Sequence, residues 1–259
     1  MDILSLIPTI YERLMAFILV FTRVSAMLSI FVLFRRELIT GRIVISLAGI
    51  LSIYVVLLYP VKAVNYDLYS IPMLTQELFQ LFIGLIAGLI VNLVFEVFVA
   101  YGQIVSTQIG LGFASMIDPR FGSISNLTQF YMIFTALIFL YLNGHLYILK
   151  TIVDSFSVLP VYQNFVPTEL ISAVINYSGV IFSGAIVLSI SLVIAMLLCN
   201  LALAVMTKFA PQFNLFSIGI NMTLILGLLF AYMTFPIFMT QATNIIQDCF
   251  GHLHDLLAK

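Results

Sequence analysis

Charge is what this sequence has least of. Asp, Glu, Lys and Arg make up 8% of its 259 residues while hydrophobic residues make up 63%, against roughly 25% and 45–50% in a soluble globular domain. Such a chain cannot cover a water-facing surface, so its place is in lipid or a lipid-like environment. Nor does the small charge lean one way, since 10 Lys and Arg stand against 11 Asp and Glu. Without a basic surplus to neutralise phosphates, nucleic-acid binding has no electrostatic basis.

Cysteine is equally thin. Cys199, in an apolar run, and Cys249, near the end, allow at most one disulfide and form no paired-thiol motif, so neither a disulfide scaffold nor a zinc site is expected. Catalytic sets are missing too. There is no Gly-x-Ser-x-Gly elbow, no phosphate loop ending in Gly-Lys-Ser/Thr and no His-Glu-x-x-His. His145, His252 and His254 lack metal-ligand spacing with acidic or thiol partners, and His252 and His254, two apart, fall on different faces of a helix. No enzyme, cofactor or metal is expected. A removable leader is not expected either: no cation precedes Arg13, and the first apolar segment ends in Phe34-Arg35-Arg36-Glu37 rather than at a small-residue cleavage site.

What the chain has is long apolar runs. A hydrocarbon core about 30 Å thick needs roughly 20 residues of helix. Six stretches qualify: Leu14 to Phe34, Ile43 to Tyr59, Leu78 to Tyr101, Leu127 to Leu149, Leu170 to Met206 and Ile218 to Met239. Strand-like alternation is absent, which argues against a barrel. The expected fold is therefore an all-α membrane protein, a single membrane domain over residues 1–259 without linker or repeat. Turn and charge signals fall in the spacers Arg35 to Arg42, Pro60 to Gln76, Gly102 to Asn126 and Lys150 to Glu169. Arg35, Arg36 and Arg42 in the first loop, Arg120 in the third and Lys208 in the fifth outnumber Lys62 and Lys150 between them. The positive-inside rule then places the odd loops in the cytoplasm and both termini outside. One run fits plain spans badly: Leu170 to Met206 would extend about 55 Å as continuous helix. It must bend near Gly179 or Gly184, start outside the hydrocarbon, or be buried against protein.

Three polar residues sit inside the runs. Arg23 and Glu96 lie within expected spans, with Asn92 one helical turn before Glu96. Ionisable groups at that depth face protein or water and need partners. One reading is an ion or proton relay; the other is a structural polar contact within the bundle or with another subunit, for which Arg23 with Glu96 is a candidate pair. Gly84 and Gly88, and the series Gly102, Ser106 and Gly110, put small residues on one helical face, where neighbouring backbones can approach closely.

The most informative local segment is Gly110-Leu111-Gly112-Phe113-Ala114-Ser115-Met116-Ile117-Asp118-Pro119, with Gly122 just beyond. Glycines and a proline interrupt a helical stretch while large apolar residues remain. This pattern fits a hydrophobic plug that seals a pore by excluding water, a re-entrant piece buried by protein, or an interfacial turn between two spans.

The order of segments carries a resemblance. Tyr101-Gly102-Gln103-Ile104 leads into Gly110 to Pro119, Asn143-Gly144-His145 closes the fourth span, and Met206-Thr207-Lys208-Phe209-Ala210-Pro211-Gln212-Phe213-Asn214 follows later. Over essentially its whole length the chain resembles the FliR/SctT family of type III secretion export-gate proteins. That resemblance implies a hetero-oligomer with FliP and FliQ in the bacterial inner membrane at the flagellar basal body. It further implies FlhB and other export-apparatus membrane proteins as neighbours, membrane lipid around the complex, and unfolded flagellar subunits as the exported substrate. It implies apolar segments arranged as bent hairpins packed largely against partner subunits, which would account for the overlong fifth run. By position, Gly110 to Pro119 matches the family loop that closes the pore lumen, with Phe113 and Met116 as sealing side chains. The Lys208 to Asn214 block matches a second marked stretch, read as a turn in which Pro211 ends the helix. The alternative from another class is a small-molecule or ion transporter with a midplane site near Arg23, Glu96 and the break at Gly110 to Gly112.

Overall fold

A computed structural model of the chain describes residues 3–31, 40–58, 70–111, 125–161, 168–209 and 219–258. Every regular element among them is a helix: α1 (Ile3–Ile30), α2 (Gly41–Leu58), α3 (Ile71–Ile109), α4 (Asn126–Tyr141), α5 (Gly144–Val158), α6 (Thr168–Ser178), α7 (Val180–Phe209) and α8 (Ile220–Ala258). Among the described residues five stretches are long and apolar enough to cross a membrane, and a sixth arises if the pair α4 and α5 is one span. This is an all-α membrane protein.

Local chemistry explains where several helices start and stop. Pro72 lies in the first turn of α3, where its missing N–H costs nothing, and the Ser70 hydroxyl accepts from the Met73 N–H at 3.4 Å. Ser125 caps α4 by accepting from the Thr128 N–H at 3.2 Å. Asn143, between α4 and α5, has φ of 55° and takes the left-handed conformation that this side chain tolerates.

The apolar runs underestimate the helices. α3 is 39 residues long, starting before Leu78 and ending after Tyr101, and it takes in parts of both neighbouring spacers. α8 is also 39 residues long and continues well past Met239. Lys150 to Val158, read from sequence as spacer, is the second half of α5. That helix is amphipathic: Ile148, Thr151, Ile152, Ser155 and Phe156 are buried while Lys150, Asp154 and Ser157 are exposed. The run from Leu170 to Met206 is interrupted at Gly179, between α6 and α7.

The chain divides into two compact units. Unit 1 takes residues 1–92, 143–178 and 249–259; unit 2 takes 93–142 and 179–248. Within unit 1, α1 packs on α2, and α1 buries Leu19, Val20, Val24, Met27 and Leu28. Within unit 2, α3 presents Phe95, Phe98, Tyr101, Val105 and Ile109 as a buried stripe, and α8 presents Phe238, Ala242 and Ile246.

Burial is very uneven. In the most apolar window of α3, 61% is buried within the chain, against 17% in α2 and 17% in α8. Ile50 and Leu57 on α2, Phe182, Leu197 and Phe209 on α7, and Met222, Leu229 and Tyr232 on α8 are exposed. Later in α8 the exposed face turns polar, with Asn244, Gln247, Asp248, His252 and Asp255 outward.

Candidate functional site

Arg23 is a buried charge in unit 1. It is 2% exposed, and its guanidinium is surrounded by neutral acceptors. Nε donates to Gln80 Oε1 at 2.7 Å, Nη1 to the Ser155 carbonyl at 3.2 Å and to Ser155 Oγ at 3.3 Å, and Nη2 to the Leu159 carbonyl at 2.8 Å. The Phe156 ring lies under it, 4.2 Å from the guanidinium carbon to the ring centroid. Ser155 lies in the last turn of α5 and Leu159 is its C-cap, at the negative end of the helix dipole, and the Ser155 carbonyl also accepts from the Leu159 N–H at 2.9 Å. Arg23 thus caps α5 from another helix. The Glu96 carboxylate, offered from sequence as a partner, is not among these four acceptors; Glu96 is half-buried on α3 and belongs to unit 2.

Small residues make this arrangement possible. A Cβ on Gly84 would collide with the Arg23 carbonyl oxygen and sit 2.8 Å from the Ala26 Cβ, and one on Gly88 would sit 2.8 Å from the Met27 oxygen. The Gly84 and Gly88 pair is therefore a helix contact between α1 and α3. Asn92, one turn further along α3, is half-buried, and its Oδ1 is buried without a hydrogen-bond partner.

Unit 2 holds an aromatic cluster near the end of α3. Tyr101 meets Tyr131 edge-on at 4.7 Å and stacks on Phe238 at 5.2 Å, while Tyr131 and Phe238 lie 4.9 Å apart. One ring comes from each of α3, α4 and α8. Beside them Gly102 lets α3 reach the α4 backbone, since an added Cβ would lie 2.7 Å from Thr128 Cα. Past Ile109, which Gly227 of α8 accommodates, Gly110 takes φ of 91° and ends the helix near Thr223. This is a backbone conformation that favours glycine.

Gly110 and half-buried Leu111 thus begin the apolar segment on the cluster of α3 and α8. Gly112, Phe113, Ala114, Ser115, Met116, Ile117, Asp118 and Pro119 lie outside the described residues, as does 210–214 of the second marked block. Among the described residues no group of three His, Cys, Asp or Glu side chains converges for a metal ion.

Sequence reasoning missed Gln80, 1% exposed. It stands four residues before Gly84 on the stripe Gln80, Gly84, Gly88, and that spacing is the signal that could have placed it toward α1. Ser155 and Phe156 were missed because an apolar count stops at Leu149.

Residues 14–249 match the family model described as bacterial export proteins, family 1. The chain is 32% identical over 228 residues to the flagellar biosynthetic protein FliR of Buchnera aphidicola subsp. Baizongia pistaciae, covering 87% of each. It is 26% identical to the Escherichia coli K12 protein of that name, over 92% of this chain and 90% of the other. To the surface presentation of antigens protein SpaR of Shigella flexneri it is 31% identical over 165 residues, 63% of this chain and 61% of that one.

Proposed function

Because the chain belongs to the bacterial export proteins of family 1, we propose that it is the FliR-type subunit of the flagellar type III protein export gate. In this reading it acts as a single membrane domain in the bacterial inner membrane at the flagellar basal body. With FliP-type and FliQ-type subunits it forms the pore through which unfolded flagellar proteins leave the cytoplasm, in the company of FlhB. The chain lines and closes a path and catalyses nothing.

The observation that carries the proposal is likeness to FliR proteins over nearly the whole of both chains. Two structural features support it. The outward apolar faces of α2, α7 and the first half of α8 are far more than a water-soluble protein exposes and call for lipid or partner subunits. The end of α3 at Gly110 gives the apolar stretch through Pro119 a fixed stem, as a pore-closing loop with Phe113 and Met116 at its seal requires. In this reading Asn92 and Glu96 are polar positions at subunit contacts. The solute-transporter alternative needed the cation of Arg23 for a ligand, and Arg23 already has four protein acceptors.

Copurification from the native membrane tests the proposal. The chain is expected to bring down two smaller hydrophobic proteins of the FliP and FliQ types. A homogeneous monomer or homodimer that binds a solute would overturn it.

A further inference from the structure

The outward side of α7 carries a chemical conflict. Leu197, Leu198 and Leu201 are exposed, and Asn200 in their midst is exposed as well. Water suits the amide but not the leucines; lipid suits the leucines but not the amide. Two hydroxyls of this helix avoid the conflict by bonding to their own backbone: Ser183 donates to the Gly179 carbonyl at 3.1 Å and Thr207 to the Ala204 carbonyl at 2.9 Å. A carboxamide has an oxygen to satisfy too, and the N–H groups in the middle of a helix are already taken.

Depth sharpens the conflict. Lys208 is the only charged residue between Glu169 and Asp248, and it is exposed in the last turn of α7. With that ammonium at a membrane boundary, Asn200 stands about 12 Å further in, close to the midplane of a hydrocarbon core about 30 Å thick. A polar group at that depth faces protein or water rather than lipid. Water is the poorer match, because Leu197, Leu201 and Ala204 beside the amide are apolar and equally outward. The face of α2 differs. Its Ile43, Ile50, Ile53 and Leu57 are exposed, its Ser46 donates to the Arg42 carbonyl at 2.9 Å, and its Tyr54 is one turn from the helix end, where tyrosines meet the membrane boundary. That face suits lipid as it stands.

We propose that residues 197–204 of α7 are a docking face for an apolar helix of a different subunit, one that presents a carboxamide or hydroxyl to Asn200. A second copy of this chain fits less well. Two copies paired through Asn200 about a two-fold axis along the membrane normal would bring both Lys208 ammonium groups to the same end of the pair, so the partner helix has a neutral or acidic end there. The inference concerns α7 alone and does not depend on which assembly the chain joins.

Photo-crosslinking in the native membrane tests it. A benzophenone side chain placed at Leu197 or at Leu201 is expected to capture a different protein that also copurifies with the chain, through an apolar helix bearing an amide or hydroxyl. Asn200→Leu should lower that capture, and recovery of the partner in mild detergent, at least about threefold per chain present. Asn200→Gln, which keeps the amide, should retain most of both. Capture of a second copy, of a segment of the same chain, or of no protein, as lipid or water would give, overturns the proposal. Asn200→Leu with capture and recovery equal to wild type overturns it as well. If FliP-type and FliQ-type subunits copurify while neither position captures a protein, the docking face fails and the export-gate reading stands.

Discussion

Gln80 accepts from Arg23 Nε through Oε1 at 2.7 Å and donates to the Val161 carbonyl through Nε2 at 2.9 Å. One amide on α3 therefore links a cation on α1 to the main chain beyond α5. Only a side chain with both an acceptor and a donor can do this.

Replacing that amide should be costly in a graded way. Gln80→Leu strands the Arg23 Nε–H and the Val161 oxygen in a buried site, at about 1–3 kcal/mol for each group. Gln80→Glu keeps an acceptor for Arg23 but loses the donor to Val161. Arg23→Lys puts a compact ammonium where a planar fork reaches separate oxygens. All three are expected to lower the thermal midpoint of the purified protein, and a Gln80→Leu midpoint equal to wild type would show that the network contributes nothing.

Two glycines in different helices offer a matched comparison. An alanine at Gly84 meets the Arg23 carbonyl and Ala26, whereas one at Gly49 of α2 meets nothing within 4 Å. Overpacking by one methyl costs about 1–3 kcal/mol, while Gly to Ala in an open helix gains up to about 1 kcal/mol. Gly84→Ala should therefore reduce the amount of folded protein in membranes, and Gly49→Ala should maintain or raise it. Equal levels for the two variants would contradict the close approach of α1 and α3.

The aromatic cluster of unit 2 makes a third test. Tyr101 is 1% exposed and touches rings from two other helices. Tyr101→Ala removes a large buried ring, which costs about 3–5 kcal/mol, and should destabilise the protein far more than Tyr101→Phe, which keeps the stacking on Phe238. Limited proteolysis of the two variants side by side distinguishes them; matching digestion patterns would mean that the ring packing is incidental.

The sealing role proposed for Gly110 to Pro119 is open to a conductance measurement. Deleting Leu111 to Met116 should let ions or small solutes leak across the membrane while the complex still assembles, because a loop that fills a lumen contributes less to subunit contact than helices do. Gly110→Val forces a β-branched residue into positive φ, which is strongly disfavoured, and should impair closure in the same assay. If the deleted complex forms and conductance is unchanged, the seal lies elsewhere; if the complex does not form, the segment is structural.

Apolar counting located the helices because span length is written directly in composition, but it could not find their ends. α5 continues through Lys150 and Asp154 because only one of its faces is buried, and a 3.6-residue period shows that where a run of apolar letters does not. Arg23 was legible as a buried group in need of partners, since a guanidinium inside an apolar run has few alternatives. The partners were not legible: the Ser155 and Leu159 carbonyls are main-chain atoms with no signature in any sequence. Gly110 was marked as a break by its neighbours, and the structure adds that the break takes positive φ against α8, a long-range contact no local pattern encodes.

The order of synthesis gives the Arg23 network a history. Gln80 lies 57 residues after Arg23, and Leu159 lies 136 residues after it. At roughly 5–20 residues per second, Gln80 is made about 3–11 seconds later and Leu159 about 7–27 seconds later. Until then the Arg23 guanidinium lacks the acceptors that Gln80, Ser155 and Leu159 supply. The network therefore closes only after residues more than half the protein away have been made.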